Sequence, residues 1–162
     1  MMKNQRIFPG IILLGFGLYF LLQQYNLVLF KDFFNWPTVL CIIGAAFLGE
    51  AYGGKQTHAI LPGVILFGTG LHFHLVGHLT FWPSHIGVLL LIVAIGFLMQ
   101  ASKTKSSSIQ GILLLIIAII TVYYDQLISK FGLSETALAN SAPYWPFLVM
   151  GLGIYILFIK KK

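Results

Sequence analysis

The chain has 162 residues, 58% hydrophobic and 9% charged, with mean hydropathy +0.90. A soluble domain carries about a quarter charged residues, so this composition excludes a water-covered fold and leaves no length for a second, soluble domain. The net charge of +6 lies in short connectors and at the ends rather than in a patch interleaved with aromatics, which excludes nucleic acid and points to lipid headgroups.

The first apolar run, Ile7 to Leu22, follows Lys3 and Arg6. That start resembles a signal peptide, but Gln23-Gln24-Tyr25-Asn26 offers no small-residue cleavage site, so the run is expected to stay as a span. It is short against the roughly 17–25 residues that cross a bilayer, and extension through Leu29 would lengthen it. Trp36-Pro37 opens the second run, which ends at Gly49. Cys41, Ala45 and Gly49 form a small-residue stripe there at steps of four. Cys41 is the single cysteine; it forms no intrachain disulfide and is expected to pack as a small hydrophobe.

Tyr52-Gly53-Gly54-Lys55-Gln56-Thr57 is a turn-rich linker, after which the pattern starts again. Pro62-Gly63-Val64-Ile65-Leu66-Phe67-Gly68-Thr69-Gly70 repeats Pro9-Gly10-Ile11-Ile12-Leu13-Leu14-Gly15-Phe16-Gly17. The third run is Ala59 to Val76, and a tight connector, Gly77 to Thr80, leads to the fourth, Phe81 to Met99, with Trp82-Pro83 at its start. Gly87 and Ala94 offer a further small pair on it. Ala101 to Ser108 is a second polar linker. The fifth run, Ile109 to Tyr124, opens on the weaker copy Gln110-Gly111-Ile112-Leu113, and extension through Ile128 would lengthen it. The connector from Asp125 to Pro143 reads equally as interfacial helix or as irregular loop. Trp145-Pro146 opens the sixth run, ending at Ile159.

The expected fold is therefore all-α: one polytopic membrane domain, residues 1–162, of six transmembrane helices in three parallel hairpin repeats, about 7–51, 58–100 and 108–160. A pseudo-threefold bundle and a row of hairpins both fit. Gly10 with Gly17, Gly63 with Gly70, and Ala45 with Gly49 are the expected helix-packing residues, since inside lipid close approach replaces water-driven burial. Trp36, Trp82 and Trp145 are the expected interfacial anchors, with the prolines beside them harmless in a first turn.

Lys3, Arg6, Lys55, Lys103, Lys105 and Lys160 to Lys162 fall on one side, against Lys31 and Lys130 on the other. The positive-inside rule makes the first side cytoplasmic, with both termini inside. Asp32, Asp125, Glu135 and Glu50 all lie at helix ends or in connectors, so no mid-bilayer charge marks a coupled pump. Four of the five histidines, His72, His74, His78 and His85, crowd one hairpin. His72, His74 and His78 are candidate metal ligands, but no cysteine or carboxylate close in sequence completes a set; a pH-responsive role is the other reading. His72 stands where the first copy has Tyr19. Hydrolase, metalloprotease and phosphate-loop motifs are absent, so neither cofactor nor catalysis is expected.

The hairpin resembles the transmembrane unit shared by the bacterial LiaI and LiaF proteins. Gly10, Gly15 and Gly17 with Trp36, Pro37 and Gly44 carry the likeness, as do Gly63, Gly68 and Gly70 with Trp82 and Pro83; the third unit keeps Gly111, Trp145, Pro146 and Gly153. The resemblance implies a bacterial inner-membrane protein linked to cell-envelope stress, in a family whose members restrain a sensor kinase or anchor a phage-shock-type protein. This chain differs in lacking the soluble C-terminal domain of LiaF-like proteins and in having three hairpins where LiaI-like proteins have one. The expected function is a non-enzymatic regulator or scaffold working through helix contacts with a membrane or cytoplasmic regulatory protein. The alternative is a small passive transporter or channel, whose polar path would run along Gln23, Gln24, Thr69, His72 or Thr121.

Overall fold

A computed structural model describes residues 6–79, 82, 83, 86–106, 108–124, 147, 150 and 151. The chain divides into two compact units, residues 1–122 and 123–162. The first holds α1 (Ile7–Gln24), α2 (Trp36–Gly53), α3 (Ile60–His78), α4 (Ile86–Thr104) and α5 (Ile109–Val122), with a 3-10 turn, Thr57–Ala59, leading into α3. Tyr123, Tyr124, Phe147, Met150 and Gly151 are the described residues of the second. The rest of the expected sixth span, Trp145-Pro146, the connector from Asp125 to Pro143 and Lys160 to Lys162 lie outside the described residues. No strand occurs among the described residues. Four helices, α1 to α4, are long and apolar enough to cross a membrane; α5 is shorter, at 14 residues.

The helix ends have local causes. α1 stops at Gln24 and does not run on to Leu29, because Asn26 takes a left-handed conformation, φ 52°. The Asn26 amide donates to the Gln23 carbonyl and the Leu27 amide to Leu22, a Schellman closure in which asparagine replaces the usual glycine. At the start of α2, Asn35 is extended and Pro37 sits in the first turn, where no backbone donor is missed. Lys105, φ 52°, follows the last residue of α4. Before α4 the tight turn expected from Gly77 to Thr80 is not what occurs: α3 runs to His78, and Leu79, Trp82 and Pro83 are non-helical, so Trp82-Pro83 does not open a helix as Trp36-Pro37 does.

Consecutive helices pack antiparallel, and the substantial contacts run α1–α2, α2–α3, α3–α4 and α4–α5. Within this unit the row is open rather than closed on itself. Its interfaces are built from small residues: Gly44, Ala46 and Ala51 on α2, Gly63 and Gly70 on α3, Gly87, Ala94, Gly96 and Ala101 on α4, and Gly111 and Ala118 on α5 are all buried. Ile60 is the largest fully buried side chain among the described residues, packed with Ala51, Ala59, Phe47, Val64 and Met99. Lipid tails are as apolar as leucine, so large side chains gain little by turning inward, whereas a missing side chain lets two backbones meet.

Candidate functional site

The expected packing residues separate into two groups. A Cβ at Gly63 would meet Leu48, and one at Gly70 would come within 2.6 Å of both Cys41 Sγ and the Pro37 carbonyl oxygen. Gly49 faces the end of the Ile11 side chain. Gly10 and Gly17, by contrast, have nothing among the described residues within 4 Å of that position, and no residue of α1 is buried. Ala45 is half-buried, beside the fully buried Ala46. A Cβ at Gly15 would lie 2.5 Å from Ile42 and one at Gly68 2.6 Å from Ile92, while Gly44 (against the Phe67 backbone), Gly96 and Gly111 are contact points that the sequence reading missed. One signal for Gly44 was available: it lies seven residues from both Pro37 and Ala51, which share its buried face.

At the end of the row that carries Trp36 and Trp82, a polar and aromatic cluster ties the helices to their connectors. Tyr19 on α1 donates its hydroxyl to the Phe34 carbonyl at 3.0 Å and meets Phe34 edge-on at 5.5 Å. Thr38 on α2, which is buried, donates its single hydroxyl proton to the Phe33 carbonyl. That leaves Thr38 Oγ1 as acceptor toward His74 Nε2 at 2.9 Å, so the proton of this contact belongs to the His74 ring. His78 Nδ1 in turn donates to the His74 carbonyl at 2.7 Å. Phe30 meets both rings edge-on, at 5.0 and 5.6 Å. A shallow cleft of about 200 Å³ runs beside them, lined by Asp32, Asn35, Trp36, Phe73, His74 and His78. Trp36 packs on Phe73 at 4.7 Å.

His72 is apart from this pair. It is buried, and it accepts a hydrogen bond at Nδ1 from Trp82 Nε1 at 3.0 Å. The three candidate metal ligands thus engage Trp82, Thr38 and the His74 backbone in turn, and no group of three His, Cys, Asp or Glu side chains able to hold a metal occurs among the described residues. His85 and Trp145 lie outside the described residues. Replacing Tyr19 by Phe removes one hydrogen bond while keeping the ring; we expect a loss of about 0.5–1.5 kcal/mol in unfolding free energy, measured by denaturant titration in detergent.

The residues of the expected polar path do not converge. Gln23 and Gln24 are exposed at the end of α1, His72 is taken by Trp82, and Thr121 returns its hydroxyl to the Ile117 carbonyl of its own helix. At the opposite end of the row, Lys103 Nζ lies 5.5 Å from the centre of the Tyr52 ring, beside a cavity of about 200 Å³ that Lys55 and Thr57 also line. An ammonium over an aromatic face at a membrane surface is an anchoring arrangement.

Residues 7–48, which comprise α1 and most of α2, match the family model described as the LiaI-LiaF-like transmembrane region. The chain is 28% identical over 165 residues to a protein named "Uncharacterized membrane protein YsxD" from Bacillus subtilis (strain 168), across 99% of this chain and 98% of that one. No solved structure matches the chain.

Proposed function

We propose that the chain is a non-enzymatic integral protein of the bacterial cytoplasmic membrane, three tandem hairpins with both termini inside, and that it regulates or scaffolds the envelope-stress response through helix contacts in the bilayer. The observation that carries this reading is the open glycine face of α1. Equivalent contacts recur along the chain. From Gly15 against Ile42 to Gly68 against Ile92, the odd helix advances 53 residues and the even helix 50. From Gly63 against Leu48 to Gly111 against Leu98, the odd helix advances 48 and the even helix again 50. The step shared by the even helices supports tandem units.

Gly10 and Gly17 precede Gly63 and Gly70 by the same 53 residues. Gly63 and Gly70 meet α2, the second helix of the hairpin before them, whereas among the described residues nothing lies within 4 Å of a Cβ built at Gly10 or Gly17. A surface shaped to take such a helix is thereby left for one supplied by a membrane partner. The match of residues 7–48 to the LiaI-LiaF-like region supports the envelope-stress setting, and the lysines of the two linkers support a cytoplasmic assignment for that end. The open row and the inward-bonded Thr121 hydroxyl weigh against the transporter or channel alternative.

Photoreactive residues placed at Leu13 and Leu14, which flank the open glycines and are 73% and 76% exposed, test the reading in native membranes. A specific adduct with another membrane protein is the expected result. Adducts with lipid alone, or within the chain itself, would remove α1 as a partner surface.

A further inference from the structure

We propose that His72 is a proton-binding site, and that proton uptake there releases the Trp82 indole at the Trp-Pro end of the row. The geometry makes the two states mutually exclusive. An indole Nε1–H can only donate, so the 3.0 Å bond from Trp82 requires a lone pair on His72 Nδ1. The imidazole is then neutral, with its proton on Nε2. A second proton would set N–H against N–H across the same 3.0 Å, and the bond is lost.

The surroundings offer the imidazolium no compensation. His72 is only 4% exposed. The rings beside it are Phe73 from its own helix, at 5.4 Å, and Trp82 from the connector, at 6.5 Å. From α2, the buried Thr38 is neutral and its hydroxyl is engaged by Phe33 and His74. The first turn of α4, Ile86-Gly87-Val88, carries no charge. The titratable groups described at this end of the first unit are Tyr19, Tyr25, Lys31 and Asp32 from α1 and the connector after it, Cys41 from α2, and His74 and His78 from α3; Asp32, His74 and His78 line the separate cleft, where both imidazoles already have partners. His85 lies outside the described residues. A charge on buried His72 is therefore accommodated by parting from Trp82 and admitting water, which frees the indole.

The first hairpin supplies the contrast. Tyr19 stands 53 residues before His72 and also holds the connector of its own hairpin, through the Phe34 carbonyl. A neutral phenol has no basic nitrogen to take up a proton. Equivalent positions thus carry a fastening indifferent to acid in one hairpin and one that acid can undo in the next, since an imidazole ordinarily titrates near pH 6.5. With the Trp-Pro end outside, the sensed protons are those of the cell exterior, whichever partner the protein has.

The test is ¹⁹F NMR of the full chain in nanodiscs with its three tryptophans replaced biosynthetically by 5-fluorotryptophan, the Trp82 resonance being assigned from Trp82→Phe. Between about pH 7.5 and 4.5 we expect the Trp82 resonance to shift through one titration. His72→Gln, which still accepts from an indole, and His72→Tyr, which restores the first hairpin's residue, should each abolish that shift, while His74→Gln and His78→Gln leave it in place. A Trp82 resonance that does not move with pH in the unaltered protein overturns the proposal, as does a shift that persists in either His72 variant or vanishes with His74 or His78. The first of these outcomes is read on the native sequence, so it stands whether or not a variant folds.

Discussion

Gly44→Ala is expected to be among the most damaging single-methyl additions in the chain, costing about 2–3 kcal/mol. Its new Cβ would press on the Phe67 backbone amide and lie 2.7 Å from both Cα and Cβ of that residue, so no side-chain rotation relieves the clash and α2 must move away from α3. Overpacking a tight interface typically costs about 1–3 kcal/mol, and a collision with backbone belongs at the upper end. Gly70→Ala, pressed against Cys41 and the Pro37 carbonyl on the same interface, should behave similarly. Gly10→Ala and Gly17→Ala form the control pair. Both positions are helical and no described residue lies within 4 Å of the new Cβ, so alanine should be neutral or should stabilise by up to about 1 kcal/mol through helix propensity. Thermal or SDS-induced unfolding of the purified protein measures all four. Equal losses at Gly10 and Gly44 would show that the α2–α3 contact is not the tight one.

Thr38→Val should follow in size, with a loss of about 1–3 kcal/mol. Valine matches the shape of threonine but leaves the Phe33 carbonyl without its donor and the His74 Nε2–H without its acceptor, in a buried position. Stranding a buried polar group costs its desolvation, about 1–3 kcal/mol, which exceeds the modest net value of the bond itself. Thr38→Ser keeps the hydroxyl and should recover most of the loss. The same unfolding measurements decide it, and the His74 ring resonances should change in Thr38→Val but not in Thr38→Ser. A Thr38→Val protein as stable as the original would mean that water satisfies both groups.

The two copies of the Pro-Gly motif show where sequence reading reaches its limit. Gly10 and Gly63 occupy the same place in the same pattern, yet one is open and the other closed on Leu48. Nothing in the motif distinguishes them, because a glycine is a packing residue only if another helix arrives, and α2 arrives at Gly63 while no described residue arrives at Gly10. The Trp-Pro pairs mislead in a related way. Trp82 follows Trp36 by 46 residues, whereas the packed positions of α4 follow those of α2 by 50. The difference of four residues, about one helical turn, is the stretch that moves Trp82-Pro83 ahead of α4 and brings the indole to His72. The histidine cluster was legible as a cluster, but the partners that draw its rings apart, Thr38 and Trp82, are distant in the chain or lie in a stretch that the sequence reading assigned to a helix.

That the protein is helical and lives in lipid is written in its composition. With 9% charged residues and runs of apolar side chains as long as a bilayer is thick, only helices can satisfy the backbone, and this holds whatever the helices touch. Which glycines carry the interfaces, whether the first five helices close or lie in a row, and which nitrogen of His72 is free for a proton were decided by tertiary structure alone. The physical reason is the solvent: lipid rewards every apolar surface alike, so hydrophobicity cannot select a partner, and selection falls to close contacts between backbones and to a few directed hydrogen bonds.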